Sequence, residues 1–291
     1  MHRAAFLLLA GCEAILHLEH LDPPAVDAPS QCARGSPFES EELVAIGGSH
    51  SVEAVRFNAP RTLALIALAP FGSPPDPNMT DIYIAMVDAN HVIGGFSKMA
   101  GVSSSGYDSY PTFTPDGTSI VLSSHRGGAH DTIWIASEAN GGFDNPTFVA
   151  ANLTGVTATN YNEPYTLAEG NVMYFEADSD IYRAEGDGVS ATPATSLALD
   201  TPNRENTPVV TDDELEIFFA SDRDAPGAIT ALEIYAATHD VASDDFGPAT
   251  VVAQISTPAQ TDYPVWLSPD ACDLYYVTKP AGVGELHVAH R

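Results

Sequence analysis

Basic residues are scarce in this chain of 291 residues, which has 11 lysines and arginines against 39 aspartates and glutamates. Only two lysines occur, Lys98 and Lys279, and the formal net charge is −28 at pH 7. A field of this sign repels phosphate backbones, so the composition excludes nucleic acid as a partner. We interpret the surplus of carboxylates as a solvated, acidic surface that keeps the protein in solution.

Cysteine is also rare. Cys12, Cys32 and Cys272 lie far apart, and no Cys-x-x-Cys pair is present, so a structural zinc site has no ligand set. The sequence also lacks a Gly-x-Ser-x-Gly elbow, a phosphate-binding glycine loop and any segment of membrane-spanning length. His125, His130 and Asp131 are close in sequence, but we interpret them as a polar turn. We therefore predict no metal and no organic cofactor.

One pattern recurs along the chain. A proline opens a β-run, a turn leads to a second apolar run, and an acidic–aliphatic–aromatic triplet follows. The prolines are Pro111, Pro164, Pro208 and Pro264, and a weaker copy without proline starts at Val52. The interval of roughly 40–50 residues suits one four-stranded propeller blade. We expect outer strands at 148–151, 196–199 and 249–255. The prediction is an all-β fold, a β-propeller with five four-stranded blades.

The repeat resembles that of TolB-type propellers. The resemblance is clearest in Tyr110–Ala136 and Tyr263–Ala289. The pattern begins with Pro-x-x-(Ser/Thr)-Pro-Asp-Gly, continues with an apolar strand ending in Ser-x-Arg, and closes with Asp-Ile-Tyr. The match extends from about Val52 to Ala289. TolB-type propellers usually have six blades, so the resemblance makes six the alternative to five. Because the propeller of TolB docks a peptidoglycan-associated lipoprotein, it also implies a non-catalytic binding role.

The last copy has no fourth strand of its own before Arg291. Phe38–Ile46, which precedes the first copy, resembles the outer strands elsewhere and is expected to complete that blade and close the ring. Cys32 lies just before this segment and Cys272 lies in the first turn of the same blade. A disulfide between them is feasible, and two unrelated cysteines are the alternative.

The first residues are typical of an export signal. A short positive segment and an apolar run precede Leu9-Ala10-Gly11-Cys12, which matches a bacterial lipobox. We predict a signal peptide over residues 1–11, lipidation of Cys12, a tether over residues 12–37 and the propeller over residues 38–291. A buried helix continuing through Ala14–Leu16 is the alternative. The predicted location is the cell envelope, in the outer membrane or the periplasm.

Loops entering the inner strands of a propeller converge on one mouth of its channel. Here they contribute one polar residue from each copy: His50, Asp108, Asn162, Asn206 and Asp262. Such a ring could hold a cation, a sugar or a basic side chain, or it could cap the strands and bind channel water.

Two functions are compatible with these features. The first is a non-catalytic, monomeric envelope lipoprotein that binds another envelope protein or an extracellular ligand through its loop face. The second is a glycan-binding or glycoside-hydrolysing propeller, since five-bladed glycosidases use three channel carboxylates. Three carboxylates around one sugar-sized pocket would favour the enzyme, and a flat or water-filled mouth would favour the scaffold.

Overall fold

The structure, a computed structural model, describes residues 32–46, 50–58, 60–70, 79–128, 130–139, 142–149, 152–167, 171–186, 192–224, 231–242, 245–258 and 260–291. Within these ranges the chain forms five β-sheets. Their inner strands contact one another in a closed cycle, as the blades of a propeller do. The five-bladed prediction is confirmed and the six-bladed alternative is wrong. The predicted signal peptide and Cys12 lie outside the described residues.

The first strand, β1 (Ser40–Leu43), belongs to the last blade. The first blade contains β2 (His50–Phe57), β3 (Leu63–Pro70), β4 (Asp81–Val87) and β5 (Ile93–Lys98). The second blade contains β6 (Asp108–Phe113), β7 (Ser119–Ser124), β8 (Thr132–Ala139) and β9 (Gly142–Phe148).

The third blade contains β11 (Tyr161–Thr166), β12 (Val172–Ala177), β13 (Asp180–Glu185) and β14 (Thr192–Ser196), with the short β10 (Leu153–Thr154) added parallel to β14. The fourth contains β15 (Glu205–Val210), β16 (Glu216–Ser221), β17 (Glu233–Thr238) and β18 (Thr250–Val251). The fifth contains β19 (Asp262–Leu267), β20 (Asp273–Thr278), β21 (Glu285–His290) and β1. No helix among the described residues is long and apolar enough to cross a membrane.

The ring closes as predicted, with β1 antiparallel to β21 from Ser40 opposite His290 to Leu43 opposite His287. Close by, Cys32 and Cys272 form a disulfide with an S–S distance of 2.04 Å. The Arg291 guanidinium reaches Glu216 of the fourth blade at 2.6 Å, and both side chains are 1% exposed. Hydrogen bonds, a covalent bond and a buried ion pair therefore all meet at the closure.

The Pro-Asp turns of the repeat are fixed by their own side chains. Thr114 Oγ1 donates to Asp116 Oδ1 at 2.7 Å, and Thr118 N donates to the same oxygen at 3.0 Å. Thr211 makes the equivalent bond to Asp213 in the fourth blade, also at 2.7 Å. A short side chain that bonds to nearby backbone favours a turn, so these residues fix the turn that follows the inner strand in the second and fourth blades.

Two outer strands begin earlier than the apolar pattern predicts. β9 ends at Phe148, where the predicted strand starts, and β14 ends at Ser196. Both strands are polar and largely exposed on one face, which hides them from a search for apolar runs. The apolar residues just beyond them, Val149 and Leu199, are buried in the connections between blades.

Candidate functional site

One mouth of the channel opens into a cavity of about 840 Å³, formed where the inner strands begin. Carboxyl groups of the third blade and of the connection between β7 and β8 in the second blade dominate its wall: Asp131, Glu163, Glu176 and Asp178. We call this cavity, defined by these four residues, the acidic mouth. The inner strands contribute further lining residues, which are Tyr110, Asn162, Asn206, Thr207 and Tyr263.

In the second, third and fourth blades, a bulge in the inner strand brings the residue before the proline to this cavity. The pairing register shifts between Asn162 and Tyr165 in the third blade, and it shifts at the same place in the repeat in the second and fourth blades. In the fifth blade the shift lies after the proline, between Pro264 and Trp266. Glu163 has φ 56°, and Tyr110 and Thr207 have φ 46° and 48°. Left-handed backbone is unfavourable for residues other than glycine, so the surrounding sheet must enforce it. The bulges therefore turn three side chains toward the channel that a regular strand would hold elsewhere.

Burial changes the proton affinity of the acids in the acidic mouth. Glu163 is 4% exposed, and burial, reinforced by the charge of Glu176, raises its pKa to about 8. Burial also raises the pKa of Glu176 to about 7, and it raises the pKa of Asp131. Thr207 N donates to Glu163 Oε2, and Ser179 N donates to Glu176 Oε1. At neutral pH the Glu163 carboxyl therefore holds a proton and can donate a hydrogen bond.

The cations of the acidic mouth are Arg204 and Lys279. The charge of Arg204 lowers the pKa of both Glu163 and Glu176, but burial outweighs it. Lys279 Nζ pairs with Glu53 Oε2 at 2.6 Å and lies 5.3 Å from the centre of the Tyr263 ring. Tyr263 in turn donates its hydroxyl to Glu53 O at 3.1 Å. Because Lys279 has its own carboxylate, its charge is not available to neutralise Glu163 and Glu176.

Two polar atoms in the wall have no hydrogen-bond partner among the described residues. They are Asn206 Oδ1 and Thr207 Oγ1, and both are buried. Buried polar atoms are usually hydrogen-bonded, and exceptions concentrate where a ligand or water binds. These atoms provide an acceptor and a hydroxyl beside the protonated Glu163.

Of the five polar residues predicted to ring the mouth, Asn162 and Asn206 line the cavity. The other three are not in its wall. His50 is exposed and its ring lies 6.4 Å from that of Tyr83. Asp262 is buried and accepts from Thr257 N at 2.5 Å. Asp108 is fully buried, where its hydrogen bonds stabilise the fold.

The Ser-x-Arg motif forms a buried network with an acid at the start of the inner strand. Asp108 Oδ1 accepts from Ser124 Oγ at 2.6 Å and from Arg126 Nη2 at 2.8 Å. In the fourth blade, Glu205 Oε1 accepts from Ser221 Oγ at 2.9 Å and from Arg223 Nη2 at 3.1 Å. Repetition in two blades indicates a structural role for this acid, which anchors the inner strand to the end of the second strand.

Sequence reasoning missed the acids that dominate the acidic mouth. Glu163 is the residue before the proline, and the bulge rather than strand alternation brings it inward. Asp131 was assigned to a polar turn, where it does pair with His125 Nε2 at 2.8 Å, but it also lines the cavity. The proline register could have identified Glu163, whereas Glu176 carries no signal beyond its place at the end of an apolar strand.

Among the described residues, one set of three carboxylates has the spacing to hold a metal ion. Asp180, Asp200 and Glu205 have ligand atoms within 4.8 Å of one another, between the third and fourth blades. Glu205 is already paired with Arg223 at 3.1 Å. Burial raises the pKa of Asp200 to about 6. The arginine supplies the positive charge that a metal would bring, so the cluster is explained by the fold.

No protein-family model matches the sequence, and no curated protein matches it. Solved structures do match. A protein assigned as TolB from Agrobacterium tumefaciens is 16% identical with a TM-score of 0.52, covering 80% of this chain and 72% of that chain. A protein assigned as a glycoside hydrolase from Parabacteroides distasonis is 11% identical with a TM-score of 0.57, covering 83% and 87%. A glycosyl hydrolase from Bacteroides ovatus is 10% identical with a TM-score of 0.50, covering 87% and 84%.

These likenesses concern the fold. At that level the predicted resemblance to TolB-type propellers is confirmed. The same architecture occurs in proteins named as TolB and in proteins named as glycoside hydrolases, so the fold does not separate a binding protein from an enzyme.

Proposed function

We propose that this protein binds a carbohydrate in the acidic mouth, and that it does so as an envelope-anchored, non-catalytic ligand-binding propeller. The observation that carries the proposal is the cavity of about 840 Å³ with convergent carboxyl, amide and hydroxyl groups. A cavity of this size is within the roughly 300–1,000 Å³ of small-molecule sites.

The polar groups suit a polyhydroxylated ligand. Protonated Glu163 donates, Asn206 Oδ1 accepts, and Thr207 Oγ1 can do either, which matches the mixed donors and acceptors of sugar hydroxyls. The rings of Tyr110 and Tyr263, 6.5 Å apart, provide apolar surface in the same wall. The surplus of carboxyl groups favours neutral or amino sugars and disfavours uronic acids and sulfated sugars.

The proposal is tested by isothermal titration calorimetry. The protein for this experiment is the propeller produced from residue 32 onward, with Cys32 retained. N-acetylglucosamine oligomers and glucosamine are the probes, and glucuronate is the charge control. We expect saturable binding of the first two and none of glucuronate. Glu163→Ala removes the donating carboxyl altogether, so it should weaken binding about fivefold or more.

Glu185→Ala is the matched control, because that side chain is 73% exposed and outside the cavity. It should bind like the unaltered protein. Absence of saturable binding to every neutral and amino sugar tried, or equal binding by the Glu163→Ala protein, would reject the carbohydrate site.

The anchoring part of the proposal rests on the sequence Leu9-Ala10-Gly11-Cys12. Lipidation of Cys12 would hold the propeller at a membrane, since each buried methylene contributes about 0.8 kcal/mol. Cys12→Ser should move the full-length protein from the detergent phase to the aqueous phase. Unchanged partitioning, or an intact Met1 in the mass spectrum of native material, would contradict it.

Glycoside hydrolysis is the second candidate, and the three acids Asp131, Glu163 and Glu176 in one cavity favour it. Glu163 would be the general acid because it is protonated at neutral pH, and Asp131 or Glu176 would be the base or nucleophile. 4-Nitrophenyl glycosides provide the assay. An enzyme should lose about 10²-fold or more in kcat on Glu163→Gln. Binding without turnover by the unaltered protein leaves the non-catalytic function.

A further inference from the structure

The opposite mouth of the channel contains a second cavity, of about 260 Å³, where the inner strands end. Its wall is largely apolar and aromatic, with side chains from several blades: Phe57, Ile84, Phe113, Tyr165 and Trp266. We call this cavity, defined by these five residues, the aromatic mouth. The function proposed above does not involve it.

One cation lies in this wall, and it is buried. Arg56 of β2 is 2% exposed, and its guanidinium carbon lies 4.9 Å from the centre of the Tyr165 ring. Nη1 donates to the adjacent carbonyl of Val55 at 3.1 Å. Nε and Nη2 are buried and have no hydrogen-bond partner among the described residues.

The other buried arginines are different. Arg126, Arg223 and Arg291 each reach a carboxylate, at 2.8, 3.1 and 2.6 Å. None of the ion pairs formed by the described residues includes Arg56. A buried charge without a partner is strongly unfavourable, so a fold that retains one gains from an anion that binds there.

Arg56 is still a cation at neutral pH. Burial lowers its pKa to about 10, while Tyr165, Tyr110 and Glu163 act in the opposite direction. Arg56 therefore contributes a positive charge and two donors without a protein partner to the wall of the cavity.

The chemistry of the cavity identifies the class of anion. A guanidinium matches a carboxylate with two parallel hydrogen bonds, and the apolar wall suits an apolar body attached to it. Small hydrated inorganic anions would leave the aromatic wall unused. Asp116 and Asp212 also line the cavity, and they oppose a ligand with a second negative charge.

We propose that the aromatic mouth binds a small monocarboxylic acid with an apolar or aromatic body, whose carboxylate pairs with Arg56. The acid reaches Nε and Nη2 with its two oxygens, and its body packs against Phe57, Phe113 and Trp266. This binding involves no covalent step.

Calorimetric titration of the protein with phenylacetate at about 0.15 M salt tests the proposal, because salt screens the acidic surface. Phenylacetamide has nearly the same shape without the charge, and acetate has the charge without the ring. We expect saturable binding of phenylacetate, and about tenfold or more weaker binding of each analogue, because charge-assisted hydrogen bonds and ring burial are both required. No saturable binding of phenylacetate, or equal binding of phenylacetamide, would overturn the site.

Trp266 reports where the ligand binds, because it lines the cavity and Trp134 does not. In a Trp134→Phe protein, phenylacetate should change the remaining tryptophan fluorescence with the calorimetric affinity. Arg56→Met should reduce that affinity about tenfold or more. Arg183→Met is the matched control: Arg183 is paired with Glu214 and lies outside the cavity wall. It should leave the affinity unchanged.

Unaltered phenylacetate binding by the Arg56→Met protein, or a loss equally large in the Arg183→Met protein, would also overturn the proposal. If Arg56→Met does not fold, the comparison of phenylacetate with phenylacetamide on the unaltered arginine still decides. Chloride at the same concentration is the probe for an adventitious ion. Displacement of phenylacetate by an equal concentration of chloride would contradict a site that requires the apolar body.

Discussion

The two mouths of the channel differ in the charged groups that the fold buries there. The acidic mouth has four carboxyl groups, and of its two cations Lys279 is already paired with Glu53. The aromatic mouth has a buried arginine that forms no ion pair with a described carboxylate. Five similar blades thus give the channel two chemically different ends. Repetition fixes the backbone, while single residues at a few positions fix the chemistry.

A single strand contributes a charged residue near each mouth. β2 carries Glu53, which pairs with Lys279 beside the acidic mouth, and Arg56, which lines the aromatic mouth. The strand belongs to the copy of the repeat that lacks the proline. The least regular copy therefore carries the residue that distinguishes the two ends.

The largest effect should come from exchanging a paired arginine for methionine. Arg126→Met leaves the fully buried Asp108 without its cation, so the free energy of unfolding should fall by about 3–5 kcal/mol. Arg56→Met removes an unpartnered charge and should leave stability equal or higher. Urea unfolding of both proteins checks this contrast. Similar losses in the two would mean that Arg56 has a partner in the folded protein.

The next largest effect should come from removing the disulfide, which lies at the end of the channel that contains the aromatic mouth. Cys272 follows the turn at Pro269, which lines that mouth. Cys272→Ser should lower the free energy of unfolding by about 2–5 kcal/mol. It should also increase amide exchange near β1 more than near Glu163. Thiol labelling of unreduced, denatured protein checks the bond itself, and two reactive cysteines at positions 32 and 272 would contradict it.

The acidic mouth should make stability depend on pH. Glu163 and Glu176 have pKa values of about 8 and about 7 in the fold, against an ordinary value of 4.5. Between these values the folded protein binds more protons than the unfolded chain, so stability is fully present below pH 4.5 and falls as the pH rises toward 8.

Glu163→Gln should flatten this decline and raise stability at pH 9 by more than about 1 kcal/mol. Urea unfolding at pH 5, 7 and 9 measures it. The Glu185→Gln protein should keep the original slope. An unchanged slope in the Glu163→Gln protein would show that Glu163 is ionised in the fold at neutral pH.

The smallest effect should come from Lys279→Met. Its pair with Glu53 is partly exposed, at 25% and 10% of the two side chains, so solvent screens the attraction. We expect a loss of no more than about 1 kcal/mol, measured by urea unfolding and reduced further by salt. A loss as large as that of Arg126→Met would mean that this pair is as well shielded from water as the network around Asp108.

The architecture could be predicted from sequence because it depends on patterns that repeat. Turns such as Thr114–Gly117 and the apolar strands between them specify one blade at a time, and the unpaired edge of the last blade identifies Phe38–Ile46 as its partner. The outer strand β9 was placed too late, because its exposed residues carry no apolar signal. Outer strands are mostly exposed to solvent, whereas the patterns that predict strands depend on buried apolar residues.

The site was harder to predict, because it depends on where bulges occur. Alternation along a regular strand predicts which face a residue occupies, and one extra residue reverses it. Glu163 was missed for this reason, whereas Asn206 was found. Arg56 was missed for another: it sits in a strand that reads as ordinary core, and its missing partner is visible only when every neighbouring carboxylate has been located.

The bond between Cys32 and Cys272 also determines how the molecule would bear mechanical load. Any pull applied through the chain before Cys32 would pass directly into the first turn of the fifth blade and would bypass β1. The hydrogen bonds between β1 and β21 would then carry none of the tension, and the closing strand could not be peeled away. Reduction of the disulfide would shift the load onto those hydrogen bonds, and the ring would open between β1 and β21.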